Sequence, residues 1–117
     1  MKKILLALAE ALVLDFKPVL QEKNMELITV RDGQELVDLA RELLPDLIFL
    51  QRNLPVLDGL SALLLLKNDP LTREIPIVAI CERQHDQQEK AKDAGCDAHL
   101  TLPVTQDKIR KILEKFL

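Results

Sequence analysis

One thiol and three carboxylates in this chain have side chains and positions that could support chemistry. Cys81 follows a β-branched run, and a thiol there could be a nucleophile or a redox centre if a neighbouring base lowered its pKa. His85 lies four residues further on and is expected to be exposed, so we interpret Cys81 as a small buried apolar residue. Glu10, Asp58 and Glu82 are expected near the same end of the apolar runs and could hold a cation weakly, but solvated loop carboxylates, with Asp58 capping a helix, are the simpler interpretation.

These side chains must be positioned by secondary structure, and apolar runs alternate with amphipathic segments along the chain. The apolar runs, of which the β-branched one is the clearest, predict strands at residues 4–8, 26–30, 46–50, 75–80 and 98–101. Helical spacing predicts helices at residues 11–23, between Asp32 and Pro45, and at 59–68, 84–94 and 105–116. Asp32 is the expected N-cap of the second helix, and Pro18 is expected to kink the first.

Five strands that alternate with five helices indicate parallel βαβ units. The continuous apolar strands fit a parallel sheet that helices cover on both faces. In such a sheet the functional site lies beyond the carboxyl ends of the strands. Those ends fall near Leu8, Gln51, Cys81 and Leu102.

Composition limits the classes of function. A chain of 117 residues, 48% of them hydrophobic, predicts one globular domain over residues 1–117. The net charge of −3 and the absence of Trp and Tyr give no basis for nucleic-acid binding. Cys81 and Cys96, the only cysteines, are predicted at opposite ends of neighbouring strands, so no disulfide is expected. The first apolar run ends at Glu10, so it is too short for a signal peptide or a membrane span. We therefore expect a cytoplasmic protein.

Seven short motifs occur together in one order along the chain. They are Lys3-Ile4-Leu5-Leu6 leading into Glu10, Asp32-Gly33, Pro45-Asp46-Leu47-Ile48-Phe49-Leu50, Leu54-Pro55-Val56-Leu57-Asp58-Gly59, Asp69-Pro70 through Ile75-Pro76-Ile77-Val78, Ala94-Gly95-Cys96-Asp97-Ala98, and Leu102-Pro103. On these residues the whole chain resembles the receiver domains of response regulators, the CheY-like superfamily of bacterial two-component signalling. The resemblance implies a doubly wound, flavodoxin-like (βα)5 fold, with a five-stranded parallel sheet in the order 2-1-3-4-5 and helices on both faces.

The family's chemistry uses a specific set of residues. Two acidic residues after the first strand hold Mg²⁺, an Asp at the end of the third accepts the phosphoryl group, a Ser or Thr ends the fourth, and a Lys precedes the Pro after the fifth. In this chain the resemblance places Leu8 and Ala9, Gln51, Cys81 and Leu102 at these positions. His99, at the family's switch position, is of a type that sometimes occurs there. The Leu102–Pro103 bond could be cis, as in the family, although the sequence does not decide this.

These departures remove the chemistry that phosphorylation needs. Leu8 and Ala9 offer no oxygen ligand to Mg²⁺, and a Gln51 amide is a poor nucleophile. Leu102 supplies no charge to a phosphoryl group. We therefore predict neither aspartyl phosphorylation nor tight Mg²⁺ binding, no cofactor and no enzymatic activity. Leu8, Ala9 and Leu102 are expected to fill the former pocket and hold one conformation.

Two surfaces are predicted to contact partners. In the third helix Ala62, Leu63 and Leu66 are expected to face the sheet, which leaves Leu60, Leu64 and Leu65 outward. The preceding loop adds Leu54, Val56 and Leu57 to this apolar surface. The last helix carries a basic stripe of Lys108, Lys111 and Lys115, for which a solvated face is the alternative.

The sequence thus predicts a pseudo-receiver, a signalling domain that docks a partner protein or a fused output domain, or dimerises, without a phosphate-driven switch. Neither nucleic acid nor membrane is an expected partner. Three alternatives remain open: phosphorylation on a non-standard acceptor, small-molecule sensing in a remodelled pocket, and thiol-based redox sensing at Cys81.

Overall fold

The computed structural model describes residues 1–82, 90–92 and 94–117 of the chain. Five strands form one sheet: β1 (Lys3–Ala7), β2 (Glu26–Thr29), β3 (Leu47–Gln51), β4 (Ile77–Cys81) and β5 (Ala98–Thr101). They are all parallel and lie in the order β2-β1-β3-β4-β5. The predicted α/β class, strand number and strand order are therefore confirmed.

The strand register decides which residues meet at the carboxyl edge of the sheet. Ala7, the last residue of β1, is aligned with Leu50, and Gln51 is aligned with Ile80. Cys81 is aligned with Thr101, the last residue of β5. Because all strands run in one direction, the segments that follow β1, β3 and β5 emerge at this edge together with the end of β4.

Four helices have bounds within the described residues: α1 (Glu10–Glu22), α2 (Gly33–Leu43), α3 (Gly59–Asn68) and α4 (Gln106–Phe116). The helix predicted at residues 84–94 lies largely outside the described part of the chain. Residues 90–92 of this range are described, and they are helical. The longest described helix has 13 residues, and none of them has the length and apolar character that crossing a membrane requires.

Side-chain caps begin three of these helices. The Asp32 carboxylate accepts a hydrogen bond from the Glu35 amide at 2.7 Å, and Asp58 accepts one from the Ser61 amide at 2.8 Å. Thr105 does the same for Lys108 at 3.2 Å. The predicted capping roles of Asp32 and Asp58 are confirmed, since each carboxylate satisfies an amide of a first helical turn that has no partner within its helix.

Two apolar layers cover the sheet. Side chains alternate along β3, so that Ile48 and Leu50 pack on the side of α2 and α3, whereas Leu47 and Phe49 pack on the side of α1 and α4. The Phe16 ring of α1 meets the Phe49 ring edge to face, with the ring centroids 4.7 Å apart. Both faces of the sheet are thus buried, as the continuous apolar strands predicted.

Candidate functional site

Gln51 is the last residue of β3, and its side-chain amide bridges two loops at the carboxyl edge of the sheet. Its Oε1 accepts a hydrogen bond from the Ala9 amide at 2.6 Å, and its Nε2 donates one to the Asn53 carbonyl oxygen at 2.9 Å. A carboxylate could accept from Ala9 but could not donate to Asn53. The amide therefore joins the segment after β1 to the segment after β3 in a way that an aspartate could not.

A cavity of about 230 Å³ opens beside Gln51 at the same edge. Its wall comes from the segments after β1 and β3 and from the ends of β4 and β5, and it includes Ala9, Gln51, Arg52, Ile80, Glu82 and Leu102. The structure thus brings together the ends of four strands, as the register requires. The site is a lined cavity and not a flat surface.

The pocket-filling prediction is only partly correct. Leu8 is buried in the apolar layer under α1, and Leu102 is half-buried against the same layer. Ala9, however, is exposed, and Ala9 and Leu102 line an open cavity. The reason is geometric: the Leu8 side chain is buried in the core and therefore does not fill the space above the edge of the sheet. The Leu102–Pro103 peptide bond is cis.

Cys81 is buried, with 5% of its surface exposed, and both cysteines are free thiols. Burial raises the pKa of the Cys81 thiol, and the nearby Arg52 guanidinium opposes this only partly. Burial is also the main cause of the raised pKa of Cys96, with smaller contributions from the charges of Cys81 and Asp97. The prediction that Cys81 is a buried apolar residue is confirmed, and the raised pKa disfavours a reactive thiolate.

Two of the carboxylates considered for a weak cation site, Glu10 and Asp58, belong to the first turn of α1 and to the N-cap of α3. Glu10 is exposed in the first turn of α1, and Asp58 is occupied as the cap of α3. Within the described residues no group of three or more His, Cys, Asp or Glu side chains is arranged to hold a metal ion. His99 is half-buried on β5, opposite Ala79 of β4.

Only part of the predicted apolar surface of α3 is exposed. Ala62, Leu63 and Leu66 are fully buried, as predicted. Leu54, Leu57 and Leu60 are half-buried and pack against the core, so Leu60 does not point freely outward as expected. What remains in the helix is an exposed leucine pair, Leu64 and Leu65, with 45% and 51% of their surfaces accessible. Val56, in the loop before α3, is 84% accessible.

The basic stripe of α4 is shorter than predicted. The Nζ of Lys108 donates hydrogen bonds to the carbonyl oxygens of Thr101 and Pro103, at 3.1 and 3.0 Å. This ammonium is therefore held against the loop between β5 and α4. Lys111 and Lys115 remain exposed.

Arg52 and Lys67 are two residues that the sequence did not single out. Arg52 follows Gln51 directly, is half-buried and lines the cavity. Its position next to a strand end was the only signal available in the sequence. The helical pattern gave no signal for Lys67, because the residues that it contacts lie up to 30 residues away in the chain.

Comparisons with known proteins agree with this architecture. The sequence profile of the response regulator receiver domain matches residues 10–114. The polar-differentiation response regulator DivK of Brucella anthropi is 31% identical over 103 residues, which cover 87% of this chain and 84% of DivK.

Solved structures are similar over almost the whole chain. The receiver domain of sensor histidine kinase PA1611 from Pseudomonas aeruginosa, which holds a magnesium ion in its active-site cleft, has a TM-score of 0.87 at 27% identity, with 98% and 96% of the two chains covered. The receiver domain of the response regulator Ssk1, solved with the phosphotransfer protein Ypd1 of Saccharomyces cerevisiae, has a TM-score of 0.87 at 22% identity, with 98% and 88% covered, and shows similarity of fold alone. The chain belongs to the response regulator receiver domain family, the receiver modules of two-component signalling proteins.

Proposed function

We propose that this receiver domain, spanning residues 1–117, is a pseudo-receiver that docks protein partners without being phosphorylated. The observation that carries the proposal is the amide of Gln51, which occupies the end of β3 and is hydrogen-bonded through both its oxygen and its nitrogen. An amide is a poor nucleophile for a phosphoryl group. The proposed partner is a signalling protein, an output domain of the same protein or a second copy of the chain.

The surroundings of Gln51 support the proposal. Leu8 and Ala9 follow β1 and carry no oxygen ligand in their side chains, and the Gln51 oxygen is occupied by the Ala9 amide. These residues do not fit a Mg²⁺ site. The buried thiol of Cys81 ends β4, and Leu102 brings no positive charge to the cavity. Phosphoryl transfer depends on positioned charge, which these residues do not supply.

A small phosphodonor is expected to leave the protein unmodified. Incubation with acetyl phosphate and Mg²⁺, followed by intact-mass measurement at neutral pH, should show no phosphorylated species, while a receiver domain with the complete acidic set is labelled in parallel. Gln51→Asp alone should also remain unlabelled, because the acidic metal ligands after β1 and the Lys at the position of Leu102 are still missing. A phosphorylated wild-type protein would contradict the proposal and favour a non-standard acceptor.

Docking is proposed to use the exposed leucine pair of α3, with Lys111 and Lys115 of α4 as a second candidate surface. Leu64 and Leu65 are exposed on α3, the helix that packs on the face of the sheet opposite α1 and α4. The Ssk1 receiver domain, similar in fold, was solved in complex with a phosphotransfer protein. A protein partner is thus compatible with this fold.

Leu65→Glu is expected to weaken dimerisation and to leave the fold stable. A glutamate in the exposed leucine pair would have to lose its hydration in an apolar contact, which weakens the contact. A substitution at an exposed position changes the free energy of unfolding by no more than about 0.5 kcal/mol. Sedimentation velocity and urea unfolding measure the two effects. The matched control is Leu14→Glu, because Leu14 is 64% accessible on α1, on the other side of the sheet. A monomeric wild type would exclude a second copy as the partner, and equal dimerisation of both variants would argue against this surface.

A further inference from the structure

The cavity beside Gln51 lies at the point where the order of the sheet reverses. The strands run from β1 outward to β2 on one side and to β3 on the other, so the helices that follow β1 and β3 diverge there. Ligands of doubly wound sheets bind in this crevice. A volume of about 230 Å³ corresponds to the space of roughly seven water molecules. It can therefore hold a small organic molecule.

Arg52 supplies a positive charge to this cavity. Its side chain is half-buried and makes no hydrogen bond or ion pair with the residues at 1–82, 90–92 and 94–117. A guanidinium is always charged and presents five N–H donors in a planar fork that fits a carboxylate. The Ala9 amide already donates its hydrogen bond to Gln51 Oε1, so we assign the contact with a carboxylate to Arg52.

The rest of the wall narrows the class of ligand. Leu12, Ile80 and Leu102 provide an apolar surface, and Gln51 retains a second amide proton on Nε2. Glu82 also lines this wall. A ligand with several negative charges would place some of them against the apolar side chains without a hydrogen-bond partner, whereas a single carboxylate can meet Arg52 while its apolar body covers the leucine and isoleucine side chains.

We propose that this cavity binds a small organic monocarboxylate with an apolar body, and that Arg52 holds the carboxylate. The proposal goes beyond phosphorylation-independent docking and does not depend on it. The proposed ligand differs from phosphate in its single negative charge and in its apolar body.

Pentanoate is a suitable probe, and pentanamide is its neutral counterpart of nearly equal shape. Titration of the ¹⁵N-labelled protein with pentanoate should shift the amide resonances of Ala9, Gln51 and Leu102, with a Kd on the order of 1 mM. Pentanamide should bind at least about tenfold more weakly, because it cannot form a charge-assisted pair with Arg52. Inorganic phosphate should also bind more weakly than pentanoate.

Arg52→Gln should weaken pentanoate binding by roughly 10- to 100-fold, as expected for loss of a charged hydrogen bond. Arg73→Gln is the matched control, since Arg73 is exposed and its nearest carboxylate is that of Glu74, 3.9 Å away. Absence of shifts at about 10 mM pentanoate, equal binding of pentanamide, or tighter binding of phosphate would each overturn the proposal. The comparison of pentanoate with pentanamide uses the wild type, so it decides the matter even if Arg52→Gln does not fold.

Discussion

Replacing Gly33 with alanine is expected to lower the free energy of unfolding by about 2–3 kcal/mol. The direction is opposite to helix propensity, which favours alanine over glycine within a helix by about 1 kcal/mol. Gly33 is the first residue of α2 and touches the loop between β3 and α3. A Cβ there would lie 1.7 Å from the Leu57 carbonyl oxygen and 2.6 Å from its carbon. Because these are backbone atoms, the loop itself must move.

Urea unfolding of Gly33→Ala measures this loss. Gln34→Ala is the matched control, because Gln34 is exposed one residue further along the same helix and its replacement should change the stability by less than about 0.5 kcal/mol. A Gly33→Ala protein as stable as the wild type would show that the close approach of α2 and the loop is relaxed in solution.

Gly59, the first residue of α3, is in close contact with the start of the same loop. A Cβ on Gly59 would lie 2.0 Å from the carbonyl oxygen of Gln51, and the Gly59 amide donates to the Arg52 carbonyl at 2.8 Å. Gly33 thus allows α2 to approach the backbone of Leu57, and Gly59 allows α3 to approach the backbone of Gln51 and Arg52. The position of the candidate site depends on these contacts.

Lys67→Met is expected to destabilise the fold by about 2–4 kcal/mol. The Lys67 ammonium donates to the carbonyl oxygens of Arg73 and Ile75, at 3.1 and 2.8 Å, and to Asp97 Oδ2 at 2.7 Å. Only 14% of its side chain is exposed. All three donors are therefore used to tie the end of α3 to the segments that lead into β4 and β5, and methionine would remove all three hydrogen bonds together with the positive charge that faces Asp97.

Asp97 strengthens this arrangement, since the same Oδ2 also accepts a hydrogen bond from the Ile77 amide at 2.8 Å. A double-mutant cycle with Lys67→Met and Asp97→Asn, measured by urea unfolding, should reveal a coupling of more than about 0.5 kcal/mol. Arg73→Met serves as the control, because its exposed contact with Glu74 contributes little. Additive effects of Lys67→Met and Asp97→Asn would contradict a shared network.

Local sequence patterns predicted most of the elements, and the differences are at their ends. The apolar run at residues 75–80 became β4 at Ile77–Cys81. Pro76 has no N–H to donate, although its carbonyl accepts from Ile48 at 3.0 Å. Patterning could not decide how far Leu60 would be buried, because this depends on the elements packed beside the helix and not on helical spacing alone.

By itself the sequence determined the parallel α/β sheet, the caps at Asp32 and Asp58 and the residue types at the ends of the strands, since these follow from local periodicity, capping and the order of the motifs. Only the tertiary structure decided that Gln51 bridges Ala9 and Asn53, that a cavity stays open beside it, and that Arg52 lines that cavity. The physical reason is distance along the chain: the Ala9–Gln51 hydrogen bond and the cavity wall join segments tens of residues apart, and these segments meet only when the strands align.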